Sequence, residues 1–245
     1  MVPVLSHAVV APDARAPQRR LVILHGAFGA GHNWRTIARR LVQQRPDWSV
    51  ILPDLRLHGQ SLDFLPPHTL RTAASDITSL TQALGTPADA IVGHSLGGKV
   101  ALRYAADYPS GLEQVWVVEA LPGPEPHAGS AWQMLRTVRA LPPEFTSRPD
   151  AAAALVRGGF TPVVAQWMTS NLEEVGGRYR WRLDFKAVEE LLNDASAADL
   201  WSVVADPARA TTLHFIKATD SDVLSPETLQ RLRASTAGGI SIHAL

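Results

Sequence analysis

The chain has 245 residues, 46% of them hydrophobic, enough to bury one sizeable core, and it reads as a single domain over residues 1–245. Lys and Arg (23) balance Asp and Glu (23), so no net field draws the protein to nucleic acid or to an anionic membrane, and a small molecule is the expected partner. The absence of cysteine removes disulfides, thiolate zinc sites and cysteine nucleophiles together, and fits a reducing compartment.

The first residues, MVPVLSHAVVAPDARA, lack a basic start followed by an apolar core, and no later stretch has the ~20 uninterrupted apolar residues of a membrane span. A soluble, cytoplasmic protein is expected, of an oligomeric state the sequence leaves open. No internal repeat is present. Short β-branched apolar runs, RLVILHG (20–26), WSVILPD (48–54), ADAIVGH (88–94), QVWVVEA (114–120) and TTLHFIKA (211–218), suit strands buried on both faces. Helical patterns separate them at 34–44, 70–84 and 96–108, the last stopped by Pro109 and Gly111. Strands alternating with helices predict an α/β fold with a mostly parallel sheet and flanking helices.

From about 121 to 210 the pattern changes. Pro122, Pro124, Pro126, Pro142 and Pro143 punctuate helical pieces such as 131–140 and 151–156, and no strand run stands out. This predicts a helical cap inserted before the penultimate strand. It carries Trp132, Met134, Phe145, Phe160, Trp167, Trp181 and Phe185, of which most are expected to form the cap's own core and a minority to face a ligand. The final run, GISIHAL (239–245), alternates as a last strand.

The chemistry centres on Gly93-His94-Ser95-Leu96-Gly97, placed between a strand and a helix. A Gly-x-Ser-x-Gly turn there lifts the serine hydroxyl above the sheet, and the helix starting at Leu96 aims amides at developing negative charge. A plain helix-capping serine is the bland alternative. The pentapeptide is weak evidence alone; between AIV and GKVALRYAADYP it makes Ser95 a candidate nucleophile. His25-Gly26 ends an earlier strand, where the N–H of Ala27 or Phe28 would join that of Leu96 as oxyanion donors. His25 and His94 are read as residues that shape the turns around the site, and DLRLHGQS (54–61) as a packed loop.

HGAFGAGHNW, DLRLHGQS, GHSLGGKVAL and GGRYRWRLDF occur in this order. In these motifs the chain resembles the α/β-hydrolase superfamily, and within it the small single-domain esterases and serine hydrolases. The resemblance implies an eight-stranded sheet, a helical cap and a Ser-acid-His triad in that chain order. For the acid, Asp222 on the loop 219–224 matches the family pattern better than Asp220. Glu119 stands where some related esterases carry Asp, and is the second choice. Of nine histidines only His243 follows both acids, and it falls inside the final strand rather than on the Gly-His loop the resemblance calls for. The expectation is a serine hydrolase for an ester or thioester, needing no cofactor or metal, whose catalytic histidine and last helix would lie beyond Leu245. A non-catalytic receptor on the same fold and a cofactor-free haloperoxidase or lyase are the competing readings.

Overall fold

Residues 3–13, 16–206, 209–235 and 239–245 are described by a computed structural model. In chain order the first half supplies β1 (His7–Val10), β2 (Arg19–Leu24), α1 (Arg35–Gln44), β3 (Trp48–Pro53), α2 (Leu70–Ala83), β4 (Ala90–His94), α3 (Leu96–Asp107) and β5 (Gln114–Val118). A 3-10 turn, Gly31–Trp34, precedes α1, so the helix expected from 34 starts one residue later. The insertion contains α4 (Ser130–Ala140), β6 (Glu144–Phe145), α5 (Arg148–Arg157), α6 (Pro162–Met168), β7 (Leu172–Val175), β8 (Arg178–Trp181), α7 (Phe185–Ala197) and α8 (Trp201–Val204). β9 (Thr212–Lys217), α9 (Pro226–Ala234) and β10 (Ile240–Ala244) follow.

The main sheet has the order β1-β3-β2-β4-β5-β9-β10, with every neighbouring pair parallel except β1 and β3. It holds seven strands among the described residues, against the eight the resemblance implied. Its central strands bury Val22, Ile23, Leu24, Ile51, Ile91, Val115, Val117 and Phe215, which is why their sequences do not alternate. Ala38 and Val42 of α1 pack on one face with Leu21, Val50 and Leu52. Ile77 and Leu80 of α2 and Val100 and Leu102 of α3 belong to the larger core on the other. α2 begins with a reciprocal cap: Thr69 Oγ1 accepts the Thr72 N–H at 3.1 Å, and Thr72 Oγ1 accepts the Thr69 N–H at 3.0 Å.

The insertion between β5 and β9 is not purely helical. β6, β8 and β7 form a small antiparallel sheet, β7 turning into β8 through Gly176 and Gly177 at φ 59° and 77°. Two consecutive left-handed residues make the hairpin turn that Gly-Gly favours, so the Gly-Gly pair was the available signal. The flanking LEEV and RYRW are short and charged, and disguise it. Lys99 of α3, 2% exposed, fastens the insertion to the sheet layer. Its Nζ donates to the carbonyls of Gly123 (3.0 Å) and Ala195 (2.8 Å) and pairs with Glu125.

Candidate active site

Ser95 follows β4 and opens α3 with φ 52° and ψ −119°. A β-carbon makes a positive φ unfavourable, so the surroundings must hold it. Ser95 N–H donates to Val118 O at the end of β5 (2.9 Å), and Ser95 O accepts the Gly98 N–H (2.8 Å). The glycines of the motif are close approaches: a Cβ on Gly97 would stand 2.6 Å from the carbonyl oxygens of Leu24 and His25, and one on Gly93 would run into the Gly97 carbonyl. Among the described residues four non-glycines have positive φ, Phe28, Leu57, Ser95 and Glu119. Three of them are candidate site residues, which concentrates the backbone strain at the C-terminal end of the parallel strands.

His25 is fully engaged. Its Nδ1 donates to Gly26 O at 2.8 Å and its Nε2 accepts the Leu55 N–H at 2.9 Å. Burial, reinforced by nearby His58, pushes its pKa down to about 3, so the ring is neutral and structural. Gly26 O also accepts the Gly29 N–H at 3.1 Å. Among the described residues neither the Ala27 N–H nor the Phe28 N–H donates a hydrogen bond, and the Leu96 N–H is a first-turn amide of α3. The structure thus brings Ala27, Phe28 and Ser95 to one pocket. His94 lines it too, its ring 6.3 Å from that of Trp34. Burial lowers the His94 pKa, with the Glu119 charge working in the opposite direction.

The pocket is a cavity of about 570 Å³, walled by Phe28, Trp34, Ile37, Met134, Phe160, Val164 and Trp167, with Asn33, Gln133 and Thr161 as polar points. Of the insertion's large side chains, Met134, Phe160 and Trp167 face it. Phe145, Trp181 and Phe185 instead pack edge to face among themselves, and Trp132 donates to Ser196 Oγ at 3.0 Å.

The two acids part company. Glu119 is the residue after Val118, the acceptor of the Ser95 N–H, and its carboxylate accepts the Ala218 N–H at 2.6 Å and the Ser221 hydroxyl. Asp222, the acid preferred from the resemblance, is solvent-exposed and makes no hydrogen bond or ion pair among the described residues; Asp220 is exposed as well. His243 lies in β10 as the alternation predicted, its ring stacked on Trp116 (5.2 Å between centroids) with Nε2 3.2 Å from His214 Nδ1. Two residues at the site carried no signal in the sequence: Ser221, a hydroxyl in a loop, and Asn171, whose Nδ2 donates to Phe28 O at 2.8 Å.

A parallel sheet with a strained serine between strand and helix, amides beside it and a capped apolar cavity above it defines the nucleophile-elbow class of α/β proteins. The chain belongs to the alpha/beta hydrolase fold family, whose model matches residues 19–162. It is 34% identical over 188 residues to the sn-1-specific diacylglycerol lipase ABHD11 of Danio rerio, a match covering 74% of this chain and 58% of that one. To the Mus musculus protein of the same name it is 32% identical over 195 residues, 77% of this chain and 62% of the other. The chain thus spans about three-fifths of the length of these relatives. Among solved structures a marine microorganism esterase superposes with a TM-score of 0.83 at 21% identity, covering 99% of this chain and 90% of that one. No helix among the described residues is long and apolar enough to cross a membrane.

Proposed function

We propose that this protein is a serine hydrolase for esters or thioesters with an apolar acyl portion. The observation that carries the reading is Ser95, held at φ 52° in the wall of the apolar cavity beside the Ala27 and Phe28 amides, which donate no hydrogen bond among the described residues. In this reading Ser95 Oγ attacks the ester carbonyl as a base takes its proton, the carbonyl oxygen gathers negative charge against the N–H groups of Leu96 and of Ala27 or Phe28, and the alcohol or thiol leaves with that proton as an acyl-enzyme forms. Water then releases the acid. Glu119 fits the role of triad acid better than Asp222, because two donors orient its carboxylate one residue beyond the strand position that fixes Ser95. The names of the matched lipases and the apolar cavity walls support a lipid-like ester as substrate.

Ser95 needs a base, and no described histidine hydrogen-bonds its hydroxyl. That observation favours a second reading, a ligand-binding protein that retains the elbow. One experiment separates the two: treatment with a fluorophosphonate, with and without added imidazole as an external base. The hydrolase reading expects covalent modification of Ser95, accelerated by imidazole and abolished by Ser95→Ala. A wild-type chain that stays unlabelled in both conditions supports the binding protein instead.

A further inference from the structure

Asn171 lies in the insertion, in the 3-10 turn Thr169–Asn171 that follows α6, far along the chain from Ser95. It is 2% exposed, and its side chain crosses to the loop after β2. A carbonyl oxygen can only be met by a donor, so the Nδ2 edge of the amide faces Phe28 O. Phe28 is itself in the left-handed region at φ 62°, a conformation that persists only where neighbours hold it.

The bonds beyond Phe28 form a continuous chain. A trans peptide sets the C=O of one residue and the N–H of the next on opposite edges of one plane. Fixing Phe28 O through Asn171 therefore fixes the Gly29 N–H, which donates to Gly26 O at 3.1 Å. Gly26 O, also held by His25 Nδ1, in turn fixes the Ala27 N–H, which must point away from these two donors. Gly26 lies against the nucleophile, since a Cβ built on it would stand 3.3 Å from the Cβ of Ser95. Hydrogen bonds in such a series reinforce one another in a dry interior.

We infer that Asn171 is a positioning residue for the oxyanion donor: through Phe28, Gly29 and Gly26 it sets the direction of the Ala27 N–H and so ties the insertion to the chemistry at Ser95. The inference rests on the serine-hydrolase reading for its catalytic meaning, while the relay itself is a structural claim. Two measurements keep them apart. The first is saturation kinetics of Ser95 labelling by a fluorophosphonate in the presence of imidazole. Asn171→Leu lowers the limiting labelling rate about 10- to 100-fold, less than the 10²–10³ lost on outright removal of an oxyanion donor, and leaves the half-saturating concentration unchanged. The second is amide hydrogen exchange. The Gly29 amide exchanges faster in Asn171→Leu, while the Gly98 amide, bonded to Ser95 O, does not change.

Asn171→Asp keeps the shape and loses the donor until the new carboxyl is protonated. Its labelling rate relative to wild type therefore rises as the pH is lowered, a recovery that a purely packing role for Asn171 does not produce. This variant carries the test if Asn171→Leu fails to fold. Unchanged limiting rate and unchanged Gly29 exchange overturn the inference, as does a relative rate for Asn171→Asp that is flat with pH. If wild type is not labelled at all, the hydrolase reading falls, and Gly29 exchange still decides the relay.

Discussion

Ser221 donates its hydroxyl to Glu119 Oε2, joining the loop after β9 to the end of β5 across 102 residues of sequence. With the Ala218 N–H on Oε1, the carboxylate is held from two sides, in a residue that itself sits at φ 49°. In the proposed reading such a fixed carboxylate suits the task of orienting an imidazole better than the exposed Asp222. The consequence is measurable with imidazole as the external base. Glu119→Gln should raise the imidazole concentration needed for half-maximal labelling of Ser95 by about tenfold or more, a fraction of the ~10⁴ lost when a triad acid is neutralised in an intact enzyme. Asp222→Asn should leave that concentration unchanged. The opposite ranking would return the role to Asp222.

His25 makes stability pH-dependent in a definite direction. Its ring titrates near 6.5 when unfolded and near 3 when folded, so on acidification the unfolded chain takes up the proton first. The stabilisation is complete above about pH 6.5 and is lost as the pH falls toward 3, at up to about 1.4 kcal/mol per pH unit. Urea unfolding of wild type and His25→Asn at pH 7, 5.5 and 4 tests this, because His58, His94 and His214, shifted the same way, are common to both proteins. The wild-type advantage should shrink as pH drops. Parallel stability curves would mean that His25 titrates normally.

What the sequence disclosed followed burial and backbone demand. β2, β3 and β4 were legible because strands covered on both faces need apolar residues throughout, β5 and β9 because their apolar runs persist although only alternate residues are fully buried, β10 through its alternation, and Ser95 because only glycines fit at positions 93 and 97. β1 was missed: HAVV is four residues on an edge, half exposed, with no periodicity to read. α7, which carries the carbonyl that Lys99 reaches, was hidden in a segment read only as punctuated helix. The arrangement of the two acids was hidden for a different reason. It depends on which of two loops, separated by a hundred residues, brings a donor to a carboxylate, and neither Ser221 nor the Ala218 N–H announces itself in one dimension. Asn171 is of the same kind, an ordinary amide until folding sets it against Phe28 O.

Two tryptophans of the insertion should answer differently to mutation. Trp132 is 7% exposed, stacks on His127 at 4.1 Å and donates to Ser196, all away from the cavity wall. Trp132→Ala should lower unfolding free energy by about 3–5 kcal/mol, the usual loss for a buried large aromatic, with little change in ligand preference. Trp167 is part of the wall. Trp167→Ala should alter the half-saturating concentration for an octyl phosphonate more than for an ethyl one, with a smaller effect on stability. Equal effects on the two phosphonates would remove Trp167 from the ligand path.

The last prediction concerns the base. His243 pairs in register with Ile216, Ile216 with Val118, and Val118 with His94, the neighbour of Ser95. Three strand spacings therefore separate His243 from Ser95, roughly 14 Å at about 4.8 Å each. Its ring is also occupied with Trp116 and His214, so it cannot take the Ser95 proton. His25 is engaged at both nitrogens, and burial lowers the basicity of His94. Loss of the histidine from a serine-protease triad costs ~10⁶ in kcat, the remainder coming from binding and oxyanion donors. The 245-residue chain should accordingly hydrolyse p-nitrophenyl acetate barely above buffer, should gain turnover in proportion to added imidazole until the site saturates, and should be unaffected by His243→Ala. Vigorous hydrolysis without imidazole, silenced by His243→Ala or by His94→Ala, would identify that residue as the base, and in the case of His243 would show that the sheet rearranges to deliver it.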